Sequence, residues 1–269
     1  MNIIQAIVLG VLQGATEFVP VSSSGHLVLV PWLLGWDSPG LVFDTVVHWG
    51  TLVAVLAYFW RDWWELITAW LTGLVRWDWR DRQARLMWLL ILGTLPAAVI
   101  GFLLEDLFES LFGAPGWVSL FLLVTAGLLS VSEWLGKQSR DTGDLRSRDA
   151  LYIGLGQAAA IAPGISRSGA TIAAGLLRGV RRADAARFSF LLSTPIIFGA
   201  GLFKLTDLFS APDALAQLPL LAVGFLAAAL SGYLCIRFLL RYLQRGKLYP
   251  FAIYCACFGI FCLVVALLR

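Results

Sequence analysis

Charge is scarce in this chain. Only 14% of its 269 residues are Asp, Glu, Lys or Arg, against ~25% in an ordinary soluble domain. The net charge of +3 is small and dispersed, which argues against a nucleic-acid partner. Short segments of alternating polar and apolar residues are missing too, and with them the pattern of a β-barrel. The opening MNIIQAIVLG has no positive n-region and no A-x-A site, so this apolar segment is expected to stay in the fold and not to be cleaved as a leader. Cysteine is sparse: Cys235, Cys255, Cys257 and Cys262 all lie in apolar runs. Two of them, Cys255 and Cys257, point to different sides of a helix, and all four read as small core residues with no metal or redox role.

What the chain has instead is apolar length. It is 59% hydrophobic with a mean hydropathy of +0.81, and long apolar runs recur throughout, the signature of an all-α polytopic membrane protein. Uninterrupted spans are predicted at residues 41–60, 86–104, 116–134, 188–205, 218–240 and 250–268, and WDSPG (residues 36–40) reads as a turn.

Two further apolar segments are broken in the middle, and they repeat each other. Gln13 to His26 reads QGATEFVPVSSSGH; Gln157 to Ala170 reads QAAAIAPGISRSGA. At a constant offset of 144 residues, Gly10 falls on Gly154, Gln13 on Gln157, Ser22 on Ser166, Ser24 on Ser168, Gly25 on Gly169 and Gly35 on Gly179, while Ser23 meets Arg167. Such a repeat governs the reading of everything else. Each unit has a polar break near its centre, and either half is too short for the ~20 residues that cross a bilayer. Each is therefore read as a re-entrant helix–break–helix hairpin, whose irregular backbone at membrane depth has to line a cavity.

The plan is a hairpin plus three transmembrane helices, twice: repeat 1 over about residues 1–140 and repeat 2 over about 141–269, in a single membrane domain. A hairpin returns to its own side and three is odd, so the second copy enters from the opposite face. This is an inverted-topology repeat. Loop charges agree. Arg61, Arg76, Arg80, Arg82 and Arg85 fall on one face, with Lys137, Arg140, Arg146, Arg148, Arg178, Arg181, Arg182, Arg187, Arg237, Arg241, Arg245 and Lys247. The other face carries Asp37, Glu105, Asp106, Glu109, Asp207 and Asp213, with only Lys204 and Arg269. The positive-inside rule then puts both termini outside, with the first hairpin entering from outside and the second from the cytoplasm. Trp36, Trp63, Trp64, Trp77, Trp79 and Trp117 sit near span ends as an aromatic belt.

Ionisable residues at membrane depth are costly and point to function. Here they are Glu17, His26 and Arg167, all in or beside the breaks, with Asp44, His48 and Glu133 as secondary candidates. A short helix restarts at Ser24-Gly25 and again at Ser168-Gly169, and free N–H groups at a helix start attract anions. Arg167 adds a forked donor set suited to phosphate, and Ser22, Ser24, Ser166, Ser168 and Thr171 add hydroxyls. Together with Gly25 and Gly169 they suggest a phosphate or diphosphate pocket. Ser23 and His26 lie close enough at a helix start for Ser23 to act as nucleophile with His26 as base, or His26 could attack phosphorus itself; both remain open. Glu17, one turn after Gln13, invites Mg²⁺ or Ca²⁺ held partly by substrate oxygens. The bland counterparts are that SSSG is a cap and turn, that Arg167 is the ion-pair partner of Glu17, that His48 hydrogen-bonds at Asp44, and that Glu133 is interfacial. A transporter or flippase for an anionic lipid phosphate is the alternative, since discontinuous helices suit alternating access.

The runs LQGATEFVPVSSSGH and PGISRSGAT closely resemble the two signature motifs of the undecaprenyl-diphosphatase family of bacterial membrane proteins linked to bacitracin resistance. The resemblance extends over essentially the whole chain, including FDTVVHWGTLVAV (residues 43–55). The family's Glu/Gln-then-Glu pattern falls on Gln13 and Glu17, its Ser and His on Ser23 and His26, and its arginine on Arg167. With Gln at position 13, this chain has one carboxylate where the pattern admits two. The resemblance implies removal of the terminal phosphate of undecaprenyl diphosphate, recycling the lipid carrier for cell-wall polymers. It also implies divalent-metal dependence and an active site open to the periplasmic side of the bacterial inner membrane. A homodimer is one assembly open to such a protein.

Overall fold

The computed structural model describes residues 1–77, 80–104, 107–108, 111, 113–204 and 214–269. Trp79 and the acidic residues Glu105, Asp106, Glu109, Asp207 and Asp213, used in the charge and belt arguments, lie outside the described residues. Among those described, the chain is helical. The helices are α1 (Ile3–Phe18), α2 (Ser23–Leu34), α3 (Gly40–Tyr58), α4 (Trp60–Arg76), α5 (Arg82–Leu103), α6 (Pro115–Leu135), α7 (Ser147–Ala159), α8 (Arg167–Leu177), α9 (Arg182–Phe203), α10 (Ala214–Tyr242) and α11 (Tyr249–Leu268). Six of them, α3, α5, α6, α9, α10 and α11, are long and apolar enough to cross a bilayer. The protein is a multi-pass membrane protein.

One expectation is overturned. Residues 61–85 were read as a charged loop, but Trp60–Arg76 form a helix. Only Leu66 and Gly73 on it are buried, while Trp60, Trp64, Ile67, Leu71 and Val75 are exposed. Between its arginines the segment interleaves Trp, Leu and Ile, which make the pattern of a helix lying in a membrane interface.

The two broken units form α1–α2 and α7–α8. In the first, α1 ends at Val19 with extended backbone (ψ 133°), and Ser22 holds φ 72° before α2 begins. In the second, Gly164 holds φ 101°, where an added Cβ would lie 2.3 Å from the Val118 carbonyl oxygen. Only glycine fits there. Both helix restarts are capped in the same way: Ser22 Oγ accepts from the Gly25 amide at 3.2 Å, and Ser166 Oγ from the Gly169 amide at 3.0 Å. The irregular backbone of each break is also met by the spans. Thr125 on α6 donates to the Gly164 carbonyl and accepts from the Ser166 amide, both at 3.0 Å. On α11, the Cys255 thiol approaches the Pro20 carbonyl at 3.8 Å. These contacts are what a polar break needs in hydrocarbon.

Each hairpin packs mainly on a span of the other half, α1 on α10 and α7 on α5. The approach is very close. A Cβ on Gly10 would lie 2.5 Å from the Gly224 carbonyl oxygen, and one on Gly154 would lie 2.4 Å from that of Gly93. Small residues of this kind let helix backbones touch in a membrane. The α6 and α11 helices pair with each other, and α3 lies against α10. Phe18, Phe59, Phe188 and Phe190 are fully buried in the largest core cluster, with the Phe18 and Phe190 rings edge-to-face at 5.3 Å.

At one end of the bundle the arginine-bearing segments are tied together. Arg82 donates to Asp141 at 3.0 Å, and Arg187 pairs with Asp62. The Arg140 amide donates to the Gly179 carbonyl at 3.0 Å, and the Arg181 amide returns a bond to Arg140 at 2.9 Å. Glu133 corrects a second expectation. It is buried, pairs with Arg182 and accepts from the Leu248 amide at 3.2 Å. Its place near a span end suggested the interface, but its partners from α9 and from the turn before α11 enclose it. Asp149 plays the same part, fully buried between Arg140 and Arg178 at 2.7 Å each. Burial alone would raise its carboxyl, but the hydrogen bonds from Arg140 and Arg178 outweigh that and hold it down at about 2.

Two tests follow from this packing. In Gly14→Val the new Cβ would lie 2.1 Å from Ser231 Oγ and 2.4 Å from the Ala228 carbonyl oxygen, so the thermal midpoint in detergent should fall by about 5 °C or more. Gly127→Ala, with open space around it, should leave it unchanged. The depressed Asp149 carboxyl contributes stability that is fully present above its ordinary value of 3.8 and is lost as pH falls towards about 2. Acid unfolding followed by circular dichroism should show that loss in the wild type and a flatter profile over the same range in Asp149→Asn.

Candidate active site

Glu17 sits in the last turn of α1, buried, one turn after Gln13. From 150 residues further along the chain, Arg167, the first residue of α8, reaches across and places Nη2 2.6 Å from Glu17 Oε1. Its Nη1 donates to the Ser189 carbonyl on α9 at 3.3 Å. The other carboxylate oxygen, Glu17 Oε2, accepts from Ser23 Oγ at 2.5 Å and from Gln13 Nε2 at 3.0 Å. His48 Nε2 stands 3.8 Å from the same oxygen. One carboxylate thus joins α1, α2, α3 and α8, and the two breaks meet there. Ser168 Oγ strengthens the join by donating to the Val19 carbonyl at 3.3 Å.

The hydroxyls divide into two groups. Ser23 and Ser24 are half-buried, as is Arg167, and these can meet a ligand. The others face inwards. Ser22 and Ser166 are the helix caps, in contact with Ser24 Oγ at 3.3 Å and Ser168 Oγ at 3.2 Å respectively. Thr171 Oγ1 lies 2.8 Å from the Arg167 carbonyl and 2.6 Å from Ser189 Oγ. Gly25 and Gly169 are buried and donate their amides to the capping serines. The Ser23 and Ser24 amides, at the head of α2, have no acceptor within their own helix.

His26 is not placed against Ser23. Its Nδ1 lies 2.7 Å from the Ser22 carbonyl and its Nε2 2.7 Å from the Tyr254 hydroxyl on α11. The Ser23 proton is directed to Glu17 instead. His48 Nδ1 donates to the Asp44 backbone carbonyl at 2.7 Å, so the hydrogen bond expected at that pair forms through the main chain. Three participants escaped the sequence reading. Ser189 and Tyr254 carry no local signal, and nothing in the sequence set His48 beside Glu17.

A half-buried serine hydroxyl on a carboxylate, a guanidinium on the same carboxylate and two helix starts form a site that can neutralise and attack a phosphate group. The family of bacitracin resistance protein BacA matches residues 6–261. The chain belongs to the BacA family. Its similarity to individual members spans whole chains. It is 48% identical to undecaprenyl-diphosphatase of Desulforudis audaxviator, over all of both chains. It is 45% identical to that of Thermomicrobium roseum over 98% of each, and 47% identical to that of Rubrobacter xylanophilus over 100% of this chain and 99% of the relative. In this BacA-family protein, the Glu17–Arg167 contact joins the two stretches that carry the motif resemblance.

The contact can be weighed directly. Breaking a buried ion pair from one side typically costs about 3–5 kcal/mol, because the other charge is left unpaired. Arg167→Gln and Glu17→Gln should each destabilise the protein by about that much, and the double variant by clearly less than the two together. Chemical denaturation in detergent measures all three, and strict additivity would show that the pair is not coupled.

Proposed function

We infer that this protein is an integral membrane phosphatase that hydrolyses undecaprenyl diphosphate to undecaprenyl phosphate and inorganic phosphate. The observation that carries the mechanism is Ser23 Oγ at 2.5 Å from a Glu17 carboxylate that Arg167 also holds. Membership of the BacA family and the names of its relatives carry the substrate. The reaction recycles the lipid carrier of peptidoglycan synthesis, and the family's name ties it to bacitracin resistance. Catalysis is assigned to Glu17, Ser23 and Arg167, with His26 treated below. Ser24, Arg167 and the first-turn amides of α2 and α8 supply phosphate contacts.

In this reading the terminal phosphate enters between Ser23 and Arg167. As Ser23 Oγ forms its bond to the terminal phosphorus, its proton passes to Glu17. The bond from that phosphorus to the bridging oxygen breaks, and undecaprenyl phosphate departs with the electron pair. Water then attacks the phosphoserine phosphorus, and the bond from phosphorus to Ser23 Oγ breaks. That oxygen takes back the proton held by Glu17, while the water oxygen and its protons leave in inorganic phosphate. Arg167 offsets the charge that builds on the phosphoryl oxygens, aided by the helix-start amides.

The donor set fits a hard divalent cation, Mg²⁺ or Ca²⁺. Glu17 offers a carboxylate, and Gln13 Oε1 is buried with no other partner. No group of three His, Cys, Asp or Glu residues gathers among the described residues, so the remaining ligands would be substrate oxygens and water, as is usual for Mg²⁺. When bound, the ion supplies charge neutralisation at the diphosphate.

The same reading extends to placement. The arginine-bearing end faces the cytoplasm of the bacterial inner membrane, the two hairpins enter from opposite faces, the site opens to the periplasmic side, and the protein works as a homodimer. Impermeant labelling in spheroplasts and crosslinking in membranes address these points.

Phosphate release from undecaprenyl diphosphate by the purified protein tests the whole. Glu17→Ala and Arg167→Ala should each lower kcat by about 10²-fold or more. Arg167→Lys should lose most of the activity as well, since an ammonium lacks the fork. Acid quenching should trap a phosphoenzyme that is absent in Ser23→Ala. Normal turnover in the Glu17 and Arg167 variants would remove this site.

A further inference from the structure

His26 is 1% exposed, and both of its ring nitrogens are engaged. A carbonyl oxygen can only accept, so the 2.7 Å contact with the Ser22 carbonyl fixes the proton on Nδ1. In the neutral ring Nε2 is then an acceptor, and the Tyr254 hydroxyl donates to it at 2.7 Å. The ring lies nearly parallel to two aromatic neighbours of α11, with Tyr254 at 5.6 Å and 8° and Phe258 at 5.0 Å and 18°. A nucleophile or base at Nε2 would first have to lose the tyrosine proton donor and leave this stack.

The carbonyl that His26 grips belongs to a strained residue. Ser22 holds φ 72° and ψ 98°, a backbone region that a non-glycine residue occupies only when its surroundings impose it. The Ser22 carbonyl accepts twice from His26, from Nδ1 and from the backbone amide at 3.2 Å. The next residue is Ser23, whose hydroxyl must point at Glu17. We propose that Tyr254 is a positioning residue for the reaction, and that the Tyr254–His26–Ser22 chain of hydrogen bonds is a strut from the last helix that holds the strained turn and aims Ser23 at Glu17. His26 then acts through Ser22 and Ser23, and does not exchange covalent bonds or protons with the substrate.

The inference rests on the phosphatase reading for its kinetic arm only. Asparagine can place an amide donor near the position of Nδ1 but has no imidazole chemistry. His26→Asn should therefore turn over undecaprenyl diphosphate at least about tenfold faster than His26→Ala, the size of effect one restored hydrogen bond gives. Tyr254→Phe should lower kcat by about tenfold with KM little changed, the mark of lost alignment with binding intact. The second arm needs no substrate. The chain has two histidines, so imidazole ¹⁵N spectra are simple to assign. In Tyr254→Phe the His26 Nε2 resonance should move to that of an unbonded nitrogen, while the His48 signals stay in place. If His26→Asn were no more active than His26→Ala, or the Nε2 resonance failed to move, the strut would be overturned. Should the wild type release no phosphate at all, the phosphatase reading falls, and the resonance shift still decides the strut.

Discussion

The fold turns on one buried ion pair. Glu17 and Arg167 lie 150 residues apart in the chain and 2.6 Å apart in space, with side chains 6% and 14% exposed. Neither charge could lie in the interior of a membrane protein without the other, because an unpaired buried charge costs several kcal/mol. That requirement fixes where each break sits. If α1 ended a turn earlier, Glu17 would be drawn away; if α8 began a turn later, Arg167 would fall short. Ser168 adds a second contact between the breaks, to the Val19 carbonyl, and Ser23 bonds to the same carboxylate within the first.

The pair in turn needs a rigid frame, and crossed packing supplies it. Each hairpin leans on a span from the other half, through glycines that allow backbone contact at Gly10–Gly224 and Gly154–Gly93. Neither half therefore completes its own site. At the arginine-bearing end, Asp149 and Glu133 are buried acids that each bind loops from separate elements. The arginine-bearing end is locked by ion pairs, and the helices around the Glu17–Arg167 pair by close packing at glycines. This division suits a bilayer, where apolar burial between helices drives little.

Much of this was legible in the sequence for a physical reason. Polar residues at membrane depth must be satisfied, so Glu17, Ser23 and Arg167 announced themselves by being out of place in apolar runs. The ion pair was foreseen as the bland role of Arg167, and it forms. The Ser23–His26 pairing was inferred from a separation of three residues, which sets distance but not direction. His26 turns instead to Tyr254, 228 residues away, and no local pattern can encode that partner. Ser22, Ser166 and Thr171 looked like phosphate donors because a capping hydroxyl and a ligand-binding hydroxyl are the same group in sequence. In the fold they are spent on the backbone and on Ser189. The helix α4 was missed because its charges mark a loop under a span-counting rule and an interfacial helix under a periodicity rule.

The repeat explains both the site and an oddity beside it. Where the first copy has Ser23, the second has Arg167; where the first has Glu17, the second has Ile161; where the first has His26, the second has Ala170. Two identical copies would bring together two acids or two arginines, and like charges buried at this distance repel. The two copies differ here and give one carboxylate and one guanidinium, a neutral pair, with the Ser23 hydroxyl bonded to the carboxylate. Gln13 and Gln157 did not diverge. In the first copy Gln13 donates to Glu17. In the second, the residue four places on is Ile161, and Gln157 is left buried with neither amide atom partnered. Such a group normally costs about 1–3 kcal/mol, and the carboxylate that Gln13 binds has no equivalent at position 161. A buried orphan in one repeat is accounted for by the residue that its twin binds in the other.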